Sequence, residues 1–360
     1  MSSIKEVAAR AGVSISTVSN VLNKKKYVSP ELEARVEKAV KELNYEVNPI
    51  AASMKSKKTG TIGVITEDMC GVFYPYIVKG ISQVTEQKGY KMIICDVNGR
   101  QQGKSVLERE KELFYELVAS RVDGIIFTST LTAASKNQYF LDFKNKAEHS
   151  QKRIPIVSLE RDLTMLGIDS VYFEGKHNAK KAVNHLLDCG CKKICHIAGP
   201  KELHVARERL EGYVECLKEH NQYFDQDKMI AYGDYSHQSG YVAMKQLLEQ
   251  VPDLDGVFCG NDQMAIGALK VLKEYGKKIP EEVKLMGYDD VFVSNIVDPA
   301  ISTIHIPKKT AGRKAAELLF ERIEHPEDMT SVMGIKLESR LVVRKSTKEG
   351  VEEDWQLSDW

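Results

Sequence analysis

Hydrophobic and polar positions follow two different periods along this chain. Over the first forty-six residues the period is helical. Ile4, Val7, Ala8 and Ala11 fall at i, i+3, i+4 and i+7, one stripe of a helix. Ser3 with Glu6 three residues on forms a capping box at its start. Gly12 ends it, because glycine enters left-handed dihedrals freely. Ser14 is placed to cap a second helix, in which Val18, Val21 and Leu22 share one face. Ser16, Asn20 and Asn23 lie opposite, with Thr17 and Ser19 at the flanks. Ser29-Pro30-Glu31 announces a third helix: a cap, a proline at the first turn, an acid near the positive end. Leu32, Val36, Val40 and Leu43 give it an apolar stripe. Three short helices with one stripe each bury those stripes only against one another. The Gly-Val-Ser connection is the tight turn of a helix-turn-helix, and the second helix keeps a small polar face suited to a DNA major groove.

From Thr61 the period changes. Short apolar runs recur: "TIGVIT" (61–66), "KMIICDV" (91–97), "GIIFTST" (124–130), "IPIVSLER" (154–161) and "SVYFEG" (170–175). They continue as "KICHIAG" (193–199), "MIAYGD" (229–234), "GVFCGND" (256–262), "VKLMGYDD" (283–290) and "STIHIP" (302–307). Amphipathic stretches such as 75–88, 105–119, 178–189, 207–220, 239–250 and 263–275 lie between them. Alternation of this kind predicts parallel sheets flanked by helices. Ten strands exceed one comfortable α/β unit, so two lobes are expected. The run "GIKLESRLVVRKS" (334–346) is strand-like around Glu338-Ser339 and is expected to pair late, on the carboxy-terminal lobe.

Composition changes this picture little. A chain of 360 residues with 42% apolar and 28% charged positions is ordinary for a cytosolic globular protein. No run is long and apolar enough for a membrane span and no signal peptide is evident, so a cytoplasmic location is expected. Seven cysteines, an odd number without a regular framework, read as reduced thiols. Charge adds more. Residues 1–58 hold eleven Lys and Arg against six Glu and no Asp, while the whole chain is neutral. A basic head on a mildly acidic body points to a polyanionic partner for the head.

In open parallel sheets, ligands sit beyond the carboxyl ends of the strands. The residues there are Phe73-Tyr74, Ser129-Thr130, Glu160-Arg161, Asp234-Tyr235, Asn261-Asp262 and Tyr288-Asp289, and Arg209 opens a helix after the 193–199 strand. A guanidinium, carboxylates and aromatic rings suit a small polyhydroxylated or heterocyclic ligand. "CGCKKICH" (189–196) raises the question of zinc. Its C-x-C spacing is too tight, and Cys195 and His196 point to opposite faces of an apparent buried strand. No metal or cofactor is predicted. No phosphate-binding loop, nucleophile elbow or dinucleotide fingerprint is present, so no catalytic residue is named.

"SIKEVAARAGVSISTVSNVLN" resembles the amino-terminal signature of LacI/GalR-type bacterial transcription regulators. "RLEGY" (209–213), "GDYSHQSGY" (233–241) and "GNDQMAIGAL" (260–269) extend the resemblance into the body. It implies base-reading by Ile15, Ser16 and Asn20, where many members carry arginine in place of Asn20. Lys5, Thr17, Ser19, Asn23 and Tyr45 are then backbone contacts. It also implies that "VNPIAASMKSKK" (47–58) is a hinge helix that folds on DNA and inserts Met54, where leucine is usual, into the minor groove. For the body it implies that Arg209 and Asp262 grip the effector and that Tyr235 stacks on it; the strand-end rule adds Phe73, Tyr74, Ser129, Arg161 and Asp289 to the candidate effector site. From the residues alone, Asp262 could instead cap a helix, Arg209 could pair with Glu208 or Glu211, and Asp289 could brace a crossover.

The expected architecture is an amino-terminal all-α helix-turn-helix headpiece (1–46), the hinge helix (47–58), and a periplasmic-binding-protein-like α/β core (60–345) of two doubly wound parallel-sheet lobes. The first lobe is placed at 60–160 and 291–320, the second at 163–289 and 321–345, with crossovers near 160–163, 290–292 and 319–322. Residues 346–360 are left as a tail. The expected function is a homodimeric DNA-binding transcriptional regulator, a repressor on near-palindromic operator DNA, controlled by a small-molecule effector of carbohydrate type. The alternative is a solute-binding protein without DNA function; the basic head and the missing signal peptide oppose it.

Overall fold

The computed structural model describes residues 2–23, 26–45, 58–98, 105–129, 137–328 and 331–351. The chain divides into two compact units between Thr59 and Gly60. The expected hinge, including Met54, lies outside the described residues except for Lys58, and so does the tail from Glu352.

The first unit contains α1 (Ile4–Ala11), α2 (Ile15–Asn23) and α3 (Pro30–Glu42). Ser3 Oγ accepts from the Glu6 amide at 3.3 Å and the Ser3 amide donates to Glu6 Oε2 at 3.0 Å, so the capping box is complete. Gly12 takes φ +64° and ends α1. Arg35 of α3 donates to the carbonyls of Ala11 (2.7 Å) and Gly12 (3.2 Å), which satisfies acceptors the helix end leaves open. Ser14 Oγ accepts from the Thr17 amide at 3.1 Å at the start of α2. Ser29 makes no side-chain cap; Pro30 and the first-turn acids Glu31 and Glu33 start α3 instead. Val7, Ala8, Ala11, Val18, Val21, Val36 and Ala39 form the buried core, with Val40, Leu43 and Tyr45 against it. Leu32 is not part of this cluster.

The second unit is built on two parallel sheets. Five strands open the first lobe: β1 (Thr61–Thr66), β2 (Lys91–Asp96), β3 (Gly124–Thr128), β4 (Ile156–Glu160) and β5 (Asp169–Tyr172). With β11 (Gly334–Lys336) they make a sheet of order β11-β5-β4-β3-β1-β2, in register as Val64↔Ile126 and Leu159↔Val171. All five residues of β3 are buried, as expected where helices cover both faces. The covering helices are α4 (Tyr74–Gln87), α5 (Val106–Ala119), α6 (Asn137–Glu148) and α12 (Lys308–Glu324). Helices α4 and α12 approach so closely that a Cβ on Gly80 would run into the Lys309 carbonyl, and one on Gly312 into that of Ile77.

The second lobe carries β6 (Ile194–Ala198), β7 (Ile230–Tyr232), β8 (Gly256–Cys259) and β9 (Lys284–Met286) in order β7-β6-β8-β9. Its helices are α7 (Gly175–Asp188), α8 (His204–Glu219), α9 (His237–Gln250), α10 (Asp262–Glu274) and α11 (Phe292–Ile296). An antiparallel pair, β10 (Thr303–His305) with β12 (Arg340–Val342), is tied to it by bridges from Met286 to Ser302 and from Asp289 to His305.

The crossovers differ from the expected ones. After Arg161 the chain folds back and β5 pairs with β4, so it leaves the first lobe only at Phe173-Glu174. The bridges to Met286 and Asp289 keep residues 291–305 with the second lobe, and the chain returns at Ile306-Pro307. Residues 319–322 lie inside α12, where Leu318, Leu319, Phe320 and Ile323 are buried. The third crossover is Leu337–Ser339, and the strand-like run from Gly334 is thereby shared between both lobes. Ser346 also belongs to the second lobe: its carbonyl accepts from the Leu285 amide and its amide donates to Ala300 O, both at 2.9 Å.

The residues of "CGCKKICH" are spent on the fold. His196 lies between the rings of Phe258 and Tyr213 and hydrogen-bonds the Phe258 carbonyl at 2.8 Å through Nδ1. Cys191 Sγ donates to Asp255 O at 3.3 Å.

Candidate functional site

In the first unit, α2 turns two unlike faces outward and inward. Val18 and Val21 are 0% and 8% exposed, while Ile15 is 43% exposed and Ser16 is exposed beside it. Ser14 Oγ holds the hydroxyls of Ser16 (2.7 Å) and Thr17 (2.8 Å), which fixes the first turn. Ser19 and Asn20 are half-buried, Lys5 is exposed, Tyr45 packs half-buried on the core, and Asn23 is the last residue of α2.

In the second unit, the carboxyl ends of both sheets face a cleft of about 450 Å³. Phe73, Tyr74, Arg209, Tyr235 and Asp289 of the expected site line it. Arg209 projects from α8 and is buried. Its Nη2 donates to Asp289 Oδ1 at 3.2 Å and its Nη1 donates to the Gly260 carbonyl. The guanidinium carbon lies 3.8 Å from the centre of the Tyr288 ring and 5.8 Å from that of Tyr235. Burial pushes Asp289 up; Arg209 and Lys308 oppose it. Arg209 Nε and the Tyr235 hydroxyl are buried and make no hydrogen bond among the described residues.

Tyr74, the first residue of α4, donates through its hydroxyl to Glu160 Oε2 at 2.9 Å. Burial pushes the Glu160 carboxyl up to about 7, against the Tyr74 hydrogen bond and the charge of Arg209. Phe73 meets Tyr74 edge-on at 5.2 Å. Three lining residues, Glu160 (φ +74°), Tyr235 (φ +71°) and Asp289 (φ +102°), hold left-handed backbone without being glycine. Such conformations persist only where the surroundings impose them, and they cluster at ligand sites.

Three expected residues are not brought to this cleft. Asp262, the first residue of α10, is fully buried: Oδ1 accepts from Thr303 Oγ1 and Oδ2 from the Val291 amide, each at 2.7 Å. Its neighbour Asn261 lines the cleft instead, caps α10 through the Met264 amide (2.9 Å), and donates to the Tyr235 carbonyl (3.0 Å). Arg161 turns away because adjacent residues at a strand end face opposite sides; its guanidinium lies 4.9 Å over the Phe140 ring and lines a separate cavity with His177 and His204. Glu160 takes the cleft side. Ser129 is buried and donates to Glu110 Oε2 at 3.3 Å. Glu67, Asp68 and Glu202 line the cleft and were not anticipated. Glu67-Asp68 directly follows β1, so the strand-end rule could have found it.

Fold and site together define a two-lobed binding module for a small molecule, with a helix-turn-helix unit preceding it. The profile described as "Bacterial regulatory proteins, lacI family" matches residues 3–48, and that of a periplasmic binding protein-like domain matches residues 183–347. The ribose operon repressor of Halalkalibacterium halodurans is 33% identical over 350 residues, 97% of this chain and 98% of its own. The HTH-type transcriptional repressor PurR of Haemophilus influenzae is 33% identical over 352 residues, 97% and 99% of the two chains. A crystal structure of the Lac repressor dimer bound to operator and the anti-inducer ONPF superposes with a TM-score of 0.84 at 27% identity, over 96% of this chain and 99% of that one. The chain belongs to the LacI family of bacterial regulatory proteins. It is a DNA-binding transcriptional regulator controlled by a small-molecule effector. Among the described residues no helix is long and apolar enough to cross a membrane.

Proposed function

We propose that this protein is a cytoplasmic, non-enzymatic repressor that binds near-palindromic operator DNA as a homodimer and responds to a small carbohydrate held in the interlobe cleft. The division of α2 carries the DNA reading: Val18 and Val21 face the core while Ile15 and Ser16 stand exposed on the first turn. Ile15, Ser16 and Asn20 meet base edges, and asparagine can pair bidentately with adenine. Lys5, Thr17, Ser19, Asn23 and Tyr45 hold the backbone. Met54 is the minor-groove wedge. One head reads one half-site, so a palindrome needs two chains. The edge of the first-lobe sheet suits the second copy: among the described residues β2 ends the sheet, and Ile93 and Ile94 are 40% and 41% exposed.

In the cleft, Arg209, Asp289 and Asn261 supply directional hydrogen bonds, and Phe73, Tyr74 and Tyr235 supply flat faces. The name of the H. halodurans relative supports a sugar as the effector class. The effector acts by binding one lobe arrangement better than another. A gel shift of the intact protein on fragments of its own genome, with and without a sugar panel, tests the whole reading. A retarded fragment whose binding changes with a sugar is expected. Sugar binding without any retarded fragment would favour the solute-binding alternative.

A further inference from the structure

Helix α2 carries an apolar side chain on its polar side. Ile15 and Ser19 stand one above the other at i and i+4, and Ser16 and Asn20 form the row beside them. Val18, Val21 and Leu22 turn the other way: the two valines are buried in the headpiece core and Leu22 packs against it. Ile15 lies outside that cluster and is 43% exposed. A single exposed isoleucine needs no explanation on most surfaces. This one is the first residue of α2, at the end of the helix whose side chains meet base edges when a helix-turn-helix docks.

The turn beneath it is fixed. Ser14 Oγ lies 2.7 Å from the Ser16 hydroxyl and 2.8 Å from that of Thr17, and accepts from the Thr17 amide at 3.1 Å. These bonds hold the first turn of α2, and the Ile15 backbone with it. A β-branched side chain on a helical backbone strongly prefers one χ1 rotamer, so little freedom is lost when it is pressed into a groove.

Base edges in the major groove present donors and acceptors, and their distinctive apolar group is the C5-methyl of thymine. An isoleucine set against a donor or acceptor strips water from it and returns no hydrogen bond, which is unfavourable. Set against the methyl, it removes apolar surface from water on both partners. Asn20 is five residues on, about 7.5 Å further along the helix axis, so its amide and the Ile15 side chain meet the duplex at separate points.

Resting on the reading of α2 as the helix that enters the major groove, we propose that Ile15 reads the C5-methyl of one thymine in each half-site. Operator recognition then includes a contact to a methyl group as well as contacts to hydrogen-bonding edges.

The test begins with the intact parent protein and DNA. Duplexes of high affinity are selected from a random pool. Each thymine of the consensus is then replaced by deoxyuridine, in one half-site or in both, which keeps the base pair and removes only the methyl. At one thymine per half-site, gel shifts are expected to show binding weakened about fourfold for a single replacement and about fifteenfold for the symmetric pair, the effect of leaving one methyl-sized apolar group uncovered in each half. Ile15→Ala leaves the buried headpiece cluster intact and is too short to reach the methyl. In this variant the deoxyuridine effect at that thymine is expected to vanish, while base preferences elsewhere in the half-site stay as in the parent. A consensus without thymine, deoxyuridine tolerated at every position, or a methyl effect of the same size in Ile15→Ala overturns the contact and leaves α2 as the reading helix. A pool from which the protein enriches no sequence defeats that reading, and this proposal falls with it.

Discussion

Lys308 Nζ donates to the main-chain carbonyl of Asp289 at 2.7 Å, and to that of Asp290 at 3.0 Å. Lys308 is the first residue of α12 and belongs to the first lobe, while Asp289 lines the cleft from the second. A buried ammonium thus fastens the helix of one lobe to the residue by which the other pairs with Arg209. Any effector that moves Asp289 pulls on this fastening, so cleft and lobe angle share one contact.

Replacing Lys308 with Met leaves these buried carbonyls without their charged donor. Such bonds are worth about 1.5–3 kcal/mol. Chemical denaturation should show a loss of that size, and the effector's influence on operator binding should shrink even where its own affinity survives.

Arg209→Lys keeps the charge and loses the fork that spans Gly260 and Asp289. Effector affinity should fall roughly a hundredfold by calorimetry, because the two ions are not interchangeable at a site that needs two directions. Operator affinity without effector should stay near that of the parent protein.

Asp262→Asn separates the two roles offered for this residue. The amide can still accept from Thr303, but its NH2 cannot accept from the Val291 amide if it faces that way. A buried unmet donor costs about 1–3 kcal/mol of stability. Effector affinity of the folded variant is expected to be unchanged within a few fold; a large loss would return Asp262 to the binding site.

Glu160 titrates near 7 in the folded chain, above the ordinary carboxyl value of 4.5. Below pH 4.5 the group is protonated in both folded and unfolded chains and has no effect. As pH rises toward 7 the unfolded chain releases its proton first, so folding loses stability, by at most about 3 kcal/mol. Glu160→Gln lacks this proton. Its stability relative to the parent should therefore climb between pH 4.5 and 7 and level off above, as followed by urea midpoints.

In the first unit, Asn20→Ala should weaken operator binding by about 1–3 kcal/mol at one base position, roughly five- to a hundredfold. Lys5→Ala should weaken all DNA sequences alike and lower the salt dependence by about one ion. Gel shifts at two salt concentrations distinguish the two patterns.

The central strands were legible because they are short apolar runs buried on both faces, as in β3, while β2 at the sheet edge was legible from its apolar run alone. The first helix could be read to the residue, since Ser3, Glu6 and Gly12 carry their signals locally. The crossovers could not. Residues 319–322 lie in a helix that covers the first-lobe sheet, and nothing in "ELLFERI" says which lobe lies beneath. At the cleft, the strand-end rule located the right dipeptides but not the right member. Glu160 rather than Arg161, and Asn261 rather than Asp262, faces the ligand space, because a positive φ at Glu160 and a distant hydroxyl, that of Thr303, decide the direction. Ser129 was lost to Glu110, nineteen residues away in sequence.

The glycine contact between α4 and α12 has a bearing on how the chain is made. Gly80 meets a surface supplied by residues 309–313, more than two hundred positions downstream. During synthesis the apolar flank of α4, with Ile77, Ile81 and Val84, emerges from the ribosome long before its cover does. The amino-terminal half of the body therefore waits, sticky and unfinished, until translation has passed Glu324, and in that interval it is a client for chaperones.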